Sequence, residues 1–261
     1  MKLKYLSFEF LLIFLCLVLP PLFTPASAVH AAPRFGWAGA QSLVLAVLLA
    51  LQLHHIMSPE PSSALPDAMP VALYRKKCPL FQCIAAATVC FGILMLIYAA
   101  VELGGLTVMR LLQQGELPAA ERTVTGVRQW LSAATALAAG AFYEECLYRA
   151  FLPDVSLLLL ARALQGRTAT QEGSSAAREG FFLRHEKVLT AVTEGSCALL
   201  FAFSHRYLGI PAVINALLCG IVLRICYQKT GRILCGTAAH GCYNLTLLAF
   251  ASLAAAASTA G

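Results

Sequence analysis

The sequence predicts an all-α protein, a polytopic membrane helix bundle of about seven spans, with six to eight compatible with the chain. Of its 261 residues, 59% are apolar and only 12% are charged, and the mean hydropathy is +0.73. A soluble globular protein carries roughly 25% charged residues, so this chain has too few to cover a water-facing surface. The composition argues against a secreted disulfide scaffold, a nucleic-acid-binding domain and a soluble enzyme.

Seven apolar segments account for this composition. A helix needs ~20 mostly apolar residues to cross ~30 Å of hydrocarbon. The predicted spans are 8–23, 36–57, 79–101, 131–160, 188–203, 208–227 and 233–256. The fourth is long enough to tilt or to break near Pro153, and the stretches 58–70 and 162–187 are predicted as loops outside the membrane. Residues 1–261 are therefore expected to form a single integral membrane domain.

The hydrophobic segment 8–23 has two interpretations. Lys2 and Lys4 precede it and Ala26-Ser27-Ala28 resembles a cleavage site, as in a signal peptide. The alternative is a retained first span, which we favour because the polytopic remainder and the charge distribution both fit one.

The basic residues indicate topology. The net charge of +6 reflects an excess of basic residues that, in a membrane protein, usually marks the inner side. With the amino end inside, thirteen basic residues fall inside and five outside, the five being Arg34, Arg110, Arg122, Arg128 and Arg206. This predicts a cell (inner) membrane protein with a cytoplasmic amino end, an external carboxyl end and a site that opens on the basic, inner face.

The ten cysteines carry no metal or disulfide signature, because the chain contains no C-x-x-C pair and most of them lie in apolar runs. We predict reduced thiols that pack between helices as small hydrophobic side chains.

The fourth span contains ionisable residues that cost at least ~2.5–3.5 kcal/mol each on insertion scales and so mark functional positions. Glu145 and Arg149 are four residues apart and are predicted to pair on one helix face. Glu144 points about 100° away and is left available as a base. A purely structural ion-pair network is the alternative.

Two later spans carry further polar pairs at helical spacing. Phe201 and His205 are four residues apart, and Glu194, eleven residues before His205, returns to the same face. His240 and Asn244 form the other pair, and Asn244 is expected to hydrogen-bond inside the bundle. This inventory suits peptide hydrolysis, with a carboxylate that activates water and donors that stabilise an oxyanion. A divalent metal such as zinc, held by Glu and two His, is the alternative.

Three motifs in order on these spans resemble the CAAX-protease and bacteriocin-processing family, which includes the prenyl-protein endopeptidases of the Rce1 type. The motifs are Glu144-Glu145-x-x-x-Arg149, Phe201-x-x-x-His205 and His240-x-x-x-Asn244. The resemblance covers roughly residues 141–245, and Tyr227, Thr230 and Gly231 are placed as the family's turn before its last motif.

The resemblance implies a role for each catalytic residue. Glu144 would be the general base, His205 would hold the water or the substrate carbonyl, and His240 and Asn244 would stabilise the oxyanion. We favour a metal-free mechanism because an amide such as Asn244 suits oxyanion donation better than zinc ligation. If a metal is present, Glu144, His205 and His240 would hold it.

The resemblance also implies supporting residues. Glu145 and Arg149 would orient the site, and we expect Glu194 to contact His205 or Arg149. Asp154 lies outside the motifs and is expected at a helix end or at the membrane interface.

The sequence therefore predicts an intramembrane endopeptidase whose partners are membrane lipid and a peptide or protein tail, with or without a lipid group, and no nucleic acid. The alternative is a non-enzymatic membrane protein, either a bacteriocin immunity protein or a proton-coupled transporter. The absence of visible inverted repeats weakens the transporter interpretation.

Overall fold

The computed structural model describes residues 3–25, 36–57, 77–111, 126–166 and 175–260, and within these ranges it contains helices and no strand. The α-helices are α1 (Leu3–Ile13), α2 (Leu19–Leu22), α3 (Trp37–Met57), α4 (Leu80–Leu111), α5 (Val127–Glu144), α6 (Leu152–Gly166), α7 (Ser175–Ser204), α8 (Ile210–Thr230) and α9 (Ile233–Ala260). The described ranges also contain two π-helical segments, Phe14–Val18 and Glu145–Phe151, and a 3₁₀ turn at Arg206–Leu208. The all-α prediction is confirmed.

Six helical segments in the described ranges are long and apolar enough to cross a membrane, so the chain is an integral membrane protein. They are Tyr5–Leu22, Trp37–Ile56, Leu80–Gly105, His185–Ser204, Ile210–Thr230 and Ile233–Ala254. The remaining predicted span, 131–160, lies in one continuous helix from α5 to α6, but the charges near its centre set it apart from the six apolar segments. The count agrees with the predicted range of six to eight.

The predicted loop at 162–187 is wrong in part. α6 continues to Gly166 and α7 already begins at Ser175, which leaves residues 167–174 outside the described ranges. A helix satisfies its own backbone hydrogen bonds, so polar residues can extend it beyond the apolar segment without cost. The other predicted loop, 58–70, also lies outside the described residues.

Contacts between neighbouring helix ends define two ends of the bundle. At one end, which we call the His205 end, the Arg206 Nε donates to the carbonyl of Leu22 at the close of α2. At the other, the Cys78 end, the Cys78 N–H donates to the carbonyl of Thr230 over 2.9 Å. Since successive helices run in opposite directions, α7 ends at the His205 end while α4 and α9 begin at the Cys78 end.

The amino-terminal helix packs as part of the bundle. The Phe10 ring stacks on the ring of Phe151, with 6.4 Å between centroids, and Phe151 ends the second π-helical segment. Val18, in the first π-helical segment, is buried in the same apolar core. This packing is what a first span would provide.

One disulfide contradicts the prediction that all the cysteines are reduced. It joins Cys83 near the start of α4 to Cys235 near the start of α9, with 5.5 Å between the Cα atoms. That separation lies within the range a disulfide can bridge. The two residues are 152 positions apart in the chain, so spacing alone could not identify the pair. The other eight cysteines are free thiols.

Candidate active site

The site is built around the π-helical segment Glu145–Phe151, whose seven residues are all buried. A π-helix bonds each N–H to the carbonyl five residues earlier, and such turns are frequent at functional sites. Pro153 follows at once and has no N–H to donate to the carbonyl of Arg149, its α-helical partner. The Arg224 guanidinium donates to that carbonyl instead. The helix thus continues through Pro153 without the break that the sequence allowed.

Glu145 is the buried anchor of the site, with a side chain only 1% exposed. Its Oε1 atom lies 3.0 Å from His240 Nδ1 and 3.6 Å from Arg149 Nε. The predicted pairing of Glu145 with Arg149 is thereby observed. The backbone of α9 approaches closely here, because a Cβ atom at Gly236 would lie 2.8 Å from Glu145 Oε2. Glycine at this position lets α9 bring His240 to the carboxylate.

Arg149 is held by charge and by an aromatic ring. Its guanidinium carbon lies 3.7 Å from the centroid of the Phe201 ring, a cation–π contact. Within the described part of the chain, Arg149 Nε and Nη2 make no hydrogen bond. Phe201 also contacts the rings of Tyr148 and His205, with centroids 5.2 Å and 4.7 Å away. This ring therefore joins the first two motifs.

His205 lies just beyond the last residue of α7, and its tautomer follows from its contacts. Nδ1 lies 2.9 Å from the carbonyl of Phe201, which can only accept, and 3.2 Å from Ser204 Oγ. Nδ1 therefore donates, and in the neutral ring Nε2 carries the lone pair. His240 is held in the same manner, because Nδ1 faces the Glu145 carboxylate. Both imidazoles are thus held by a contact at Nδ1, which leaves Nε2 available to contact a substrate or a water molecule in the site.

Glu144 differs from its neighbour in exposure. Its side chain is 28% exposed, and its Oε2 atom lies 3.8 Å from His240 Nε2. Together with His205 it lines a cavity of about 280 Å³, whose other walls are Pro21, Thr24, Tyr143, Tyr148, Ser204 and Tyr207. The two adjacent carboxylates therefore occupy different environments, as the helical spacing predicted.

Of the four predicted catalytic residues, the structure groups Glu144 with His205 on the cavity wall and with His240 by direct proximity. Asn244 lies one turn beyond His240 on α9 and is half-buried. The expected hydrogen bond of its side chain has no counterpart among the described residues.

Two acidic residues predicted elsewhere belong to a separate cluster around Arg224. Glu194 Oε1 accepts from Arg224 Nη2 over 2.8 Å and from Gln228 Nε2 over 2.5 Å, and Asp154 Oδ1 lies 3.0 Å from Arg224 Nη2. Glu194 contacts Arg224 where His205 or Arg149 was expected, and the eleven residues between Glu194 and His205 separate them by about 16 Å along the helix. Asp154 is buried rather than interfacial, and Arg224, counted among the inside residues, lies within the bundle.

The cavity lies at the His205 end of the bundle. Its walls include the residues that close α2 and follow α7. Among the basic residues that the structure describes, Lys229 and Arg232 flank the turn between α8 and α9 at the Cys78 end, and Arg178, Arg184 and Lys187 lie in the half of α7 that begins there. The prediction that the site opens on the basic face is therefore wrong. The motifs show where a residue lies along its own helix. Which end of the bundle that residue is near depends on how the helices pack.

The tyrosines of the cavity were not predicted as site residues. Tyr143 and Tyr148 flank the two glutamates, and Tyr207 follows His205. Spacing offered a signal for one of them, because Tyr148 is four residues after Glu144 and shares its helix face. Tyr207, in the 3₁₀ turn, had no periodic pattern to reveal it.

The alternative metal ligands do not form a compact group. Among the described residues, only Cys78, Cys83 and Cys235 bring three ligand atoms within 4.8 Å of one another. The ligand atoms of Glu144, His205 and His240 are not gathered to that distance, although the carboxylate behind His240 is a common companion of metal-bound histidine. The preference for a metal-free site stays a prediction.

Comparison with known proteins identifies the class. A family model described as "Type II CAAX prenyl endopeptidase Rce1-like" matches residues 126–246. The match confirms the resemblance seen in the three motifs and contains all of them. The family implies a CAAX-type protease within the membrane. Neither a curated protein nor a solved structure gives a match to the chain.

Proposed function

We propose that the chain is an intramembrane endopeptidase in which the Glu144 carboxylate activates a water molecule. The observation that carries this proposal is the contrast between two adjacent acids. Glu145 is buried and paired with Arg149 and His240, whereas Glu144 faces a cavity large enough for water and a peptide backbone. A carboxylate with cavity access, whose Oε2 atom lies 3.8 Å from His240 Nε2, is suited to accept a proton from a bound water.

The proposed reaction assigns each proton. Glu144 takes one proton from water, and the resulting hydroxide attacks the carbonyl carbon of the scissile peptide. His240, held at Nδ1 by Glu145, donates from Nε2 to the oxyanion. When the C–N bond breaks, the proton on Glu144 passes to the leaving nitrogen. His205 accepts from the attacking water through Nε2, and Asn244 is the proposed second oxyanion donor.

The absence of a metal requirement is part of the proposal. The donor set of two histidines and an amide suits oxyanion stabilisation, and Glu144 supplies the base without a Lewis acid. Extensive chelation should leave the rate of peptide cleavage unchanged. A loss that only zinc restores would assign the Glu144, His205 and His240 side chains to a metal instead.

We propose as substrate a peptide or protein tail that enters at the His205 end, with or without a lipid group. If the basic loops lie in the cytoplasm of a cell (inner) membrane, this end faces the opposite side. A membrane-impermeant maleimide added to intact cells should then label Thr24→Cys and leave Lys229→Cys unlabelled. The reverse pattern would place the cavity on the cytoplasmic side.

The test of the enzymatic proposal is the Glu144→Gln variant in reconstituted membranes. Removal of a general base should lower the rate of peptide cleavage on the order of 10²–10⁴-fold. The amide has nearly the same shape, so the melting temperature should not change. Glu102→Gln is the matched control, because Glu102 is an exposed glutamate of α4. Undiminished cleavage by the Glu144 variant would refute the proposed base.

A further inference from the structure

Three cysteines form a group outside the active site, at the opposite end of the bundle. Cys78 precedes α4, Cys83 lies in the first turn of that helix and Cys235 lies in the first turn of α9. Their sulfur atoms all lie within 4.8 Å of one another. Cys83 and Cys235 form the disulfide, so Cys78 is a free thiol beside an existing S–S bond.

Two hydrogen bonds hold the Cys78 backbone in this position. Its N–H donates to the carbonyl of Thr230 over 2.9 Å, and its carbonyl accepts from Arg232 Nε over 2.6 Å. The guanidinium of Arg232 places a positive charge next to the residue. Cys83 and Cys235 are buried, whereas Cys78 is partly exposed and reachable by base from solvent.

We propose that Cys78 is a switch residue that exchanges with the Cys83–Cys235 disulfide. The Cys78 thiol loses a proton to solvent, and its thiolate attacks Cys83 Sγ. A Cys78–Cys83 bond forms as the Cys83–Cys235 bond breaks, and Cys235 leaves with the electron pair and takes up a proton. One disulfide is present before and after, so the exchange needs neither an oxidant nor a reductant.

The exchange changes which elements are joined. The original disulfide links α4 to α9, whereas the product links only residues near the start of α4. α9 carries Gly236, which packs against Glu145, and His240, which contacts the same carboxylate. Loss of the link at Cys235, five residues before His240, frees the end of the helix that positions this imidazole. This consequence rests on the proposed function, but the exchange itself does not.

Disulfide mapping of the full-length chain in detergent tests the exchange directly. The protein is held at about pH 6 or pH 9 without added thiol, alkylated with a maleimide and digested without reduction. Because the thiolate is the attacking species, its fraction rises with pH. We expect Cys83–Cys235 with labelled Cys78 at the lower pH. At the higher pH, where the exchange is faster, we expect the Cys78–Cys83 peptide with labelled Cys235 to appear as well.

Matched variants separate the possible results. Cys78→Ser should retain the Cys83–Cys235 peptide at both pH values, and Cys242→Ser, which removes an exposed free thiol, should exchange like the parent. Absence of the Cys78–Cys83 peptide at both pH values would overturn the proposal. So would uptake of one Zn²⁺ per reduced chain that Cys78→Ser abolishes, since the three sulfurs would then form a metal site.

The effect of the disulfide exchange on activity is tested by a separate measurement of peptide cleavage. Peptide cleavage measured at one common pH should fall on the order of tenfold in exchanged protein, because small displacements of catalytic groups are costly. Cys78→Ser, treated identically, should retain its activity. An exchanged protein with undiminished cleavage would overturn the coupling to the site. Failure of the proposed peptidase function is distinguishable, because cleavage would then be absent from both proteins while the disulfide map still changed with pH.

Discussion

Two buried groups of charged residues lie along the same continuous helix and differ in how completely they are paired. In the Arg224 cluster, the guanidinium contacts Asp154 and Glu194, and Gln228 adds a donor to Glu194. In the active-site cluster, Glu145 is similarly enclosed, but Glu144 faces a cavity and has a histidine nitrogen 3.8 Å away.

The difference shows that charge in a membrane span does not by itself identify a catalytic group. Both clusters carry the insertion cost that marks functional residues. In the first, the acids and the guanidinium contact one another, and none of them lines the cavity. In the second, Glu145 pairs with Arg149, and Glu144 faces the cavity. Access and incomplete pairing, more than composition, distinguish the candidate site.

Replacement of Arg224 should have the largest effect on stability. Arg224→Met removes the cation that contacts the buried Asp154 and the partly exposed Glu194, and breaking a buried pair in this manner typically costs about 3–5 kcal/mol. The free energy of unfolding in detergent, from chemical denaturation, measures it. The comparison of the two clusters predicts that the rate of peptide cleavage per folded molecule changes much less than the free energy of unfolding. An Arg224→Met protein that is stable but inactive would instead place this cluster in the catalytic machinery.

Glu145→Gln tests the neutralised acid. The amide keeps the volume but removes the charge that faces Arg149 and His240, so His240 loses the carboxylate that holds its Nδ1. Loss of such an orienting carboxylate typically costs about 10–100-fold in activity. The kcat for peptide cleavage should fall with KM little changed, and the loss should be smaller than that of Glu144→Gln. Equal losses in the two variants would remove the proposed distinction between the acids.

Gly236→Ala should produce the smallest effect. The new methyl group would lie 2.8 Å from Glu145 Oε2, so the carboxylate must shift, and overpacking of this kind costs about 1–3 kcal/mol. Gly241→Ala on the same helix is the matched control, because nothing lies within 4 Å of its Cβ position. Melting temperature and cleavage rate should fall in the first variant and not in the second.

The sequence predicts the helices and the local pairs well because both depend on spacing within one element. Apolar length predicts the spans, and the four-residue interval predicts the contact of Glu145 with Arg149. The interval between Phe201 and His205 likewise corresponds to their ring contact.

Prediction from the sequence fails for contacts between residues of different helices. Glu194 shares a face with His205 but pairs with Arg224, because which acid meets which base depends on the neighbouring helix. The disulfide and the end at which the cavity opens depend on the same three-dimensional arrangement. The π-helical segment has no signature in apolar periodicity, although Pro153 marks the carbonyl that needs another donor.

The π-helical segment also sets the rotation of α6 relative to α5, and therefore the direction in which the acids of the two charged clusters point. Each wide turn accommodates an additional residue relative to an α-helix, so Asp154 reaches Arg224 while Glu144 and Glu145 face α7 and α9. If the same seven residues were wound as an ordinary α-helix, they would turn through a larger angle and α6 would be rotated relative to α5. One group of acids would then lose its partners. The wide winding of this segment is therefore required even at positions whose side chains have no chemical role.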